Sequence, residues 1–179
     1  MKRFDRIMLR RYTAAAVILL AVLAWPSEGW SRTTGRACNV DHVVKVLLRS
    51  WADTLERSWK DNNPNLIVDK YGAGAVLLPT CANGPLIGRA QIKGYFENFL
   101  KDKPVVAEIG EPTVGGSCNV PFGSGLYTFK LNGGAGAQLR ARYTYIFHQT
   151  GPVSWLVTQH HSSLEPVTTA AAASACAPH

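Results

Sequence analysis

The sequence predicts an α+β domain in which a strongly curved antiparallel sheet wraps a long N-terminal helix and two shorter helices. Apolar residues recur at three- and four-residue steps up to about residue 101, which is the spacing of a helix face. From residue 105 onward they alternate with polar residues, which is the pattern of half-buried strands. Helices followed by a strand meander form an α+β layer arrangement, and a curved sheet over a long helix makes a cone with a pocket between the two.

Three helices are predicted in the first part of this domain. The first covers residues 39–61 and ends before Pro64, which suits the first turn of a short second helix over residues 65–71. The third runs over residues 89–101 and ends before Pro104. The apolar face of the long first helix consists of residues at helical steps: Val44, Leu48, Trp51, Leu55 and Trp59.

One short strand and four main strands are predicted. The apolar run at residues 75–78 indicates the short, buried strand. The main strands cover residues 105–114, 121–131, 138–148 and 153–163, with turns rich in Gly and Pro between them. In the third main strand, alternation assigns Ala141, Tyr143, Tyr145 and Phe147 to one face, and Arg140, Arg142, Thr144 and Ile146 to the other.

The composition fits a single globular domain, which we place at residues 39–166. The chain has 179 residues, of which 46% are hydrophobic and 17% charged, so it has enough apolar side chains for a core. The net charge of +7 divides into +3 for residues 1–30 and +4 for the rest, without a cluster of Lys and Arg. Nucleic-acid binding requires a concentrated basic surface, so we expect no nucleic-acid partner. The tail at residues 167–179 lacks a periodic apolar face and is predicted to be disordered.

Residues 1–30 have the form of a signal peptide. A positively charged start precedes an apolar run at residues 14–25, whereas a membrane-spanning helix needs about 20 apolar residues. We therefore expect export to the periplasm or the exterior, with no stable membrane span after cleavage, rather than an uncleaved anchor. Cleavage after Ala24 and after Gly29 are both compatible with the sequence, and residues 31–38 form a short leader segment.

Export would place the cysteines in an oxidising compartment, where disulfides form. Cys38, Cys81, Cys118 and Cys176 allow three pairings, and no two of them have the spacing of a zinc site or a redox pair. Cys38 precedes the first helix, and Cys118 lies between two predicted strands. We favour a disulfide between these two, because it would attach the helix to the sheet. The sequence indicates neither a metal site nor a cofactor motif.

Five segments of the sequence come in a recognisable order. They are AVLLPT at residues 75–80, GRAQIKGYF at 88–96, GLYTF at 125–129, RARYTY at 140–145 and HHSS at 160–163. Together they resemble exported bacterial members of the nuclear-transport-factor-2-like superfamily. Within it, they are most similar to the branch related to the association (hub) domain of calcium/calmodulin-dependent protein kinase II. The resemblance covers about residues 40–166 and implies a cone fold with a curved sheet.

This resemblance also implies a partner and a kind of ligand. Hub domains assemble into rings, and a cavity lined by arginines binds small carboxylates in them. Two of those arginine positions fall at Tyr145 and at His161 or Ser162 here, so this chain lacks the matching arginines. The superfamily contains enzymes, ligand carriers and oligomerisation modules, so fold alone does not decide between these functions.

The candidate ligand pocket consists of an arginine, two histidines and large aromatic residues: Arg142, Tyr145, His160, His161, Tyr71, Tyr95 and Trp51. Tyr127 is a further candidate for the pocket wall. An arginine among aromatic residues must be paired or reach solvent, so Arg142 either binds a ligand or lies on a solvated face. His160 and His161 are adjacent on a strand and face opposite ways, so they cannot share a metal ion. The alternative for each aromatic residue is ordinary core packing.

We expect an exported module of the association-domain type, without kinase activity, that forms a homodimer or higher ring and binds an unknown small organic ligand. An outward aromatic face of the sheet would be an apolar patch of the kind that marks an interface. The alternative is a polyketide-cyclase or ketosteroid-isomerase-like enzyme that moves a proton in the cone pocket. The feature that would favour the enzyme is a buried carboxylate or histidine facing Arg142 or a tyrosine across the pocket.

Overall fold

A computed structural model describes residues 38–80 and 82–166 of the chain. The predicted signal peptide at residues 1–30, nearly all of the leader segment and the tail at residues 167–179 lie outside the described residues. Within them, the predicted fold class is confirmed: the domain is α+β, with three α-helices and an open, curved sheet of seven strands. No helix in this described part combines the length and apolarity needed to cross a bilayer.

The elements follow one another in a simple order. The helices are α1 (Val40–Lys60), α2 (Asn65–Val68) and α3 (Gly88–Phe99), with a 3-10 turn at Leu100–Asp102 after α3. The strands are β1 (Tyr71–Leu78), β2 (Leu86–Ile87), β3 (Val105–Ile109), β4 (Thr113–Gly116), β5 (Pro121–Lys130), β6 (Gln138–Gly151) and β7 (Ser154–Leu164). In space the strands are ordered β2-β1-β7-β6-β5-β3, and β4 also pairs with β5.

The long helix α1 lies within one residue of its predicted bounds at each end. Asn39 caps it, since its side-chain oxygen accepts a hydrogen bond from the backbone N–H of His42 at 3.0 Å. The helix approaches β5 so closely that a side chain at Gly123 would lie 2.5 Å from Val44 Cγ1. Only glycine at this position allows the helix to lie so near the sheet.

The antiparallel meander of β3 to β7 agrees with the prediction, except that its first strand is divided. The predicted strand at residues 105–114 is in fact β3 and β4, and both pair with β5. Pro112 lies in the gap and has no N–H to donate to a strand ladder, which explains the interruption. The backbone N–H of Gly110 still reaches the carbonyl of Leu126, at 2.9 Å, so the edge of the sheet remains attached.

Strand β1 differs from the prediction in length and direction. It begins at Tyr71 rather than residue 75, because the short second helix ends at Val68 instead of continuing to residue 71. It also pairs in parallel with β7, with Tyr71 opposite Val157 and Leu78 opposite His161. The sheet is therefore mixed, and this pairing places Tyr71 close to the histidine-bearing strand.

The aromatic face of β6 packs inward. The alternation predicted for this strand is confirmed, because Ala141, Tyr143, Tyr145 and Phe147 are all buried. The ring of Tyr145 meets the ring of Trp51 on α1 edge to face, with centroids 5.4 Å apart. The expectation of an outward aromatic face was therefore wrong, since these rings form the core between helix and sheet and leave Arg140, Arg142, Thr144 and Ile146 on the outer face.

The predicted disulfide between Cys38 and Cys118 is present, with Cα atoms 6.2 Å apart. It joins the residue before the capping position of α1 to the loop between β4 and β5. The same loop is held by β7, because the indole N–H of Trp155 donates to the carbonyl oxygen of Cys118 at 3.2 Å. The disulfide thus links the start of α1 covalently to the loop between β4 and β5.

Candidate functional site

A cavity of about 670 Å³ lies inside the cone, with walls from α1, α3, β1, β5, β6 and β7. Its aromatic walls are Trp51, Tyr95, Phe96, Phe99, Tyr127 and Phe129. Besides the hydroxyls of its tyrosines, the polar side chains among the described lining residues are Thr80, Asn83, Asn98, His160, Ser162 and the oppositely charged Lys101 and Asp102. Apolar walls with a few polar groups are the usual composition of a small-molecule site.

His160 is the buried polar centre of this cavity, and its hydrogen bonds assign its tautomer. The indole N–H of Trp51, which can only donate, lies 3.1 Å from the hydroxyl oxygen of Tyr71. The Tyr71 hydroxyl in turn lies 2.8 Å from His160 Nδ1. Among the described residues, Nδ1 is the acceptor within hydrogen-bond distance of the Tyr71 hydroxyl, so we assign the hydroxyl proton to this bond. The imidazole proton therefore resides on Nε2.

Three hydroxyl groups continue the network from Nε2. The hydroxyl of Tyr127 lies 3.4 Å from His160 Nε2 and donates to Ser162 Oγ at 2.5 Å. Ser162 Oγ is also hydrogen-bonded to Thr80 Oγ1. Nδ1 faces Tyr71, which is not among the lining residues, whereas Tyr127 and Ser162 on the Nε2 side both line the cavity, so the cavity lies on the Nε2 side of the ring.

Aromatic rings fix the plane of the imidazole. The Tyr145 ring stacks on His160 with centroids 3.9 Å apart and planes 19° apart. The Trp51 ring meets His160 edge to face at 5.4 Å. With only 3% of its surface exposed, His160 loses the hydration that would stabilise a charge. This burial, with a smaller contribution from the nearby His161, lowers the pKa of His160 to about 3.

We expect His160 to remain neutral, with its proton on Nε2, throughout the physiological pH range. Long-range ¹H–¹⁵N correlation spectra should therefore show one protonated and one unprotonated ring nitrogen, unchanged from pH 8 to pH 5. The lowered pKa also means that the unfolded chain binds a proton that the folded chain excludes. Stability should fall with decreasing pH, by about 1.4 kcal/mol per pH unit from this group between its unfolded and folded pKa values.

The control for this expectation is a comparison of two variants by urea unfolding at several pH values. In His160→Gln, the free energy of unfolding should depend less steeply on pH, because the contribution of this group is gone. In His161→Gln, whose side chain lies on the opposite face, the slope should be retained. A His160 signal that titrates near pH 6.5, or a proton found on Nδ1, would contradict the assignment.

Comparison with known families identifies the domain. Residues 44–166 match the family described as the calcium/calmodulin dependent protein kinase II association domain. The chain belongs to this association-domain family. A solved Xanthomonas campestris structure, provisionally described as such an association domain, is 34% identical and has a TM-score of 0.58; the match covers 68% of this chain and 85% of that one. The resemblance read from the five sequence segments is thereby confirmed.

More distant solved structures share the fold of this association domain. A provisionally described dehydratase of the nuclear-transport-factor-2-like family from Streptomyces avermitilis is 13% identical with a TM-score of 0.57, covering 72% of this chain and 100% of that one. A ketosteroid isomerase-like protein from Erwinia carotovora is also 13% identical, with a TM-score of 0.55, covering 71% and 97%. At this identity the likeness shows the fold alone. Curated protein sequences give no significant match.

The candidate pocket residues of the association domain fall into three groups. Trp51, Tyr95 and His160 line the cavity, as does Tyr127. Tyr71 and Tyr145 lie behind His160 and hold its ring in place.

Arg142 and His161 form the third group and are exposed on the outer face of the sheet, away from this cavity. Arg142 Nη2 instead donates to the carbonyl of Leu164 at 3.3 Å. The expectation that Arg142 lines the pocket was wrong. Side chains alternate between the two faces of β6, so an arginine between the inward-facing Ala141 and Tyr143 points outward.

Several lining residues were not predicted from the sequence. Ser162 could have been found, because it lies two residues from His160 and so shares its strand face. Asn98 and Asp102 follow Tyr95 at helical steps, which is a second usable signal. The sequence contains no signal that places Thr80 in the cavity, since its contact with Ser162 depends on the parallel pairing of β1 with β7.

Over residues 38–80 and 82–166, no three His, Cys, Asp or Glu side chains lie close enough together to hold an ion.

Proposed function

We propose that this association domain is an exported module that binds a small organic ligand and oligomerises, with no kinase activity. The observation that carries the proposal is the aromatic-walled cavity of about 670 Å³, a volume typical of small-molecule sites. Its buried polar groups around His160 are already ordered by hydrogen bonds and stacking. A preformed site of this kind loses little entropy when a ligand binds.

Native mass spectrometry of residues 31–179, under conditions that retain noncovalent ligands, tests both parts of the proposal. We expect a dimer or larger ring that carries an additional small mass. A bare monomer would contradict the oligomerisation, and an oligomer that neither retains nor acquires any small molecule would contradict the ligand binding.

Oligomerisation through the outer face of β5 and β6 agrees with the family's description as an association domain. Phe122 and Leu126 are each 39% exposed there, opposite Ile146 and Arg142 of β6. Apolar side chains on an open sheet face are stabilised when a second copy covers them. Leu126→Asp should therefore shift the oligomer to monomer, whereas Val153→Asp, in the exposed turn between β6 and β7, should not.

Export to the periplasm or the exterior is supported by the Cys38–Cys118 disulfide, since such bonds persist in oxidising compartments. The intact mass of protein from the periplasmic fraction should lack the first 24 or 29 residues. A full-length mass in the membrane fraction would instead indicate an uncleaved anchor.

Proton transfer is the second candidate function, because one discriminating feature is present. His160 is a buried histidine that faces a tyrosine, with Nε2 lying 3.4 Å from the Tyr127 hydroxyl. Its chemistry is unfavourable, however, since a base with a pKa of about 3 is poorly matched to neutral pH and its Nδ1 lone pair is already bonded to Tyr71.

Deuterium exchange at the carbon next to the carbonyl of an enolisable ketone, followed by NMR, separates the two functions. We expect no exchange above the buffer rate. Exchange that disappears in His160→Gln would establish the enzyme instead of the binding module.

A further inference from the structure

We infer that the cavity selects neutral, flat ligands that accept a hydrogen bond from His160 Nε2–H, such as aryl ketones, and that it discriminates against carboxylates. This inference rests on the ligand-binding part of the proposed function. It names the chemical class of the ligand, which the family assignment leaves open.

The charges around the cavity argue against an anionic ligand. Among the described lining residues, the charged ones are Lys101 and Asp102, which are neighbours of opposite sign. Lys101 is exposed, and its Nζ is bonded to Asn98 Oδ1 at 2.9 Å. No arginine lines the described walls, and the lining cation Lys101 is exposed, so a carboxylate held among the aromatic rings at His160 would lose its hydration without a buried cation beside it.

The direction of the hydrogen bonds around His160 favours a ligand that accepts a hydrogen bond. Tyr71 donates to Nδ1, so His160 presents Nε2–H to the cavity. The Tyr127 hydroxyl, which uses its own proton on Ser162, lies 3.4 Å from Nε2. This distance exceeds the usual range for a hydrogen bond, so the Nε2–H is only weakly engaged. A carbonyl oxygen at normal distance would satisfy it better.

The neutral state of His160 completes the argument. Burial keeps the imidazole uncharged, so it offers a donor but no positive charge to an anion. The surrounding rings of Trp51, Phe99 and Phe129 offer apolar faces suited to a flat aromatic body.

Three probes of one shape test the inference: 2-acetylnaphthalene, 2-naphthoate and 2-ethylnaphthalene, titrated into the purified domain and followed by NMR chemical shifts. The ketone should bind about fivefold more tightly than the hydrocarbon, which is the effect of one neutral hydrogen bond. The carboxylate should bind at least about tenfold more weakly than the ketone, because its charge would be buried unpaired.

Two variants separate positioning from packing. Tyr71→Phe removes the hydroxyl that fixes the proton on Nε2, so both tautomers become populated and the ketone's advantage over the hydrocarbon should shrink while the hydrocarbon's affinity stays unchanged. Tyr143→Phe is the control: among residues 38–80 and 82–166 this buried hydroxyl has no hydrogen-bond partner, and Tyr143 lies outside the cavity lining, so the preference should persist. The ¹⁵N shifts of His160 should report a changed tautomer balance only in Tyr71→Phe.

The outcomes distinguish this inference from the proposed function. The inference would be overturned if the carboxylate or the hydrocarbon bound with the same affinity as the ketone. In that case the proposed ligand-binding function would still stand. If none of the three probes binds, the inference falls, and the native mass spectrometry described above decides separately whether the domain binds a ligand of another class.

Discussion

Trp51→Ala should lower the free energy of unfolding by about 3–5 kcal/mol, the usual cost of removing a large buried aromatic side chain. Trp51 is 3% exposed and meets the rings of Tyr145 and His160 edge to face. Its indole N–H also donates to Tyr71. The change would empty the space between helix and sheet and disturb the order of the hydrogen bonds that lead to His160. Urea unfolding followed by circular dichroism measures the loss.

Two further variants of α1 show whether the effect belongs to this side chain. Trp51→Phe keeps an aromatic ring but removes the N–H, and part of the loss should be recovered. Arg49→Ala changes an exposed residue of the same helix and should alter stability by less than about 0.5 kcal/mol. A loss of under about 1 kcal/mol in Trp51→Ala would mean that the ring does not pack between helix and sheet.

Replacing Cys38 and Cys118 together with serine should lower the free energy of unfolding by about 2–4 kcal/mol. The two cysteines are separated by 80 positions, so the disulfide closes a long loop. In the chain-entropy account, such a bond restricts the unfolded chain and so favours the folded one. Urea unfolding of the oxidised protein and of the double variant gives the difference directly.

A reductant provides the matched control for the disulfide. With Cys81 and Cys176 replaced by serine in both proteins, it should destabilise the protein that keeps Cys38 and Cys118 to the level of the variant that lacks them, and leave that variant unchanged. If the oxidised protein and the double variant unfold at the same urea concentration, the bond contributes nothing to stability.

Local patterns were sufficient to predict most of this fold. The three- and four-residue steps around Trp51 located α1 to within one residue at each end, and period-two alternation placed Tyr143 and Tyr145 on one face of β6. The disulfide followed from where Cys38 and Cys118 lie between elements. These features depend on short-range spacing, which a sequence displays directly.

The remaining features depend on contacts that the sequence does not display. Alternation separates two faces of a strand but does not say which of them meets the helix, so the aromatic face and Arg142 were first placed on the wrong sides. The segment that begins β1 is rich in Gly and Ala and has little strand character. Its pairing with β7 comes from tertiary structure, and Thr80 meets Ser162 only because of it.

The parallel pairing of β1 with β7 also bears on when the domain can fold. It joins Tyr71, near the domain's beginning, to Val157, close to its end. Pairing of strands so distant in the sequence makes folding slow. In addition, the sheet cannot be completed before β7, the last strand, has been synthesised. If the chain is exported as proposed above, the missing pairing of β1 with β7 would keep the sheet incomplete until the last strand has also crossed the membrane.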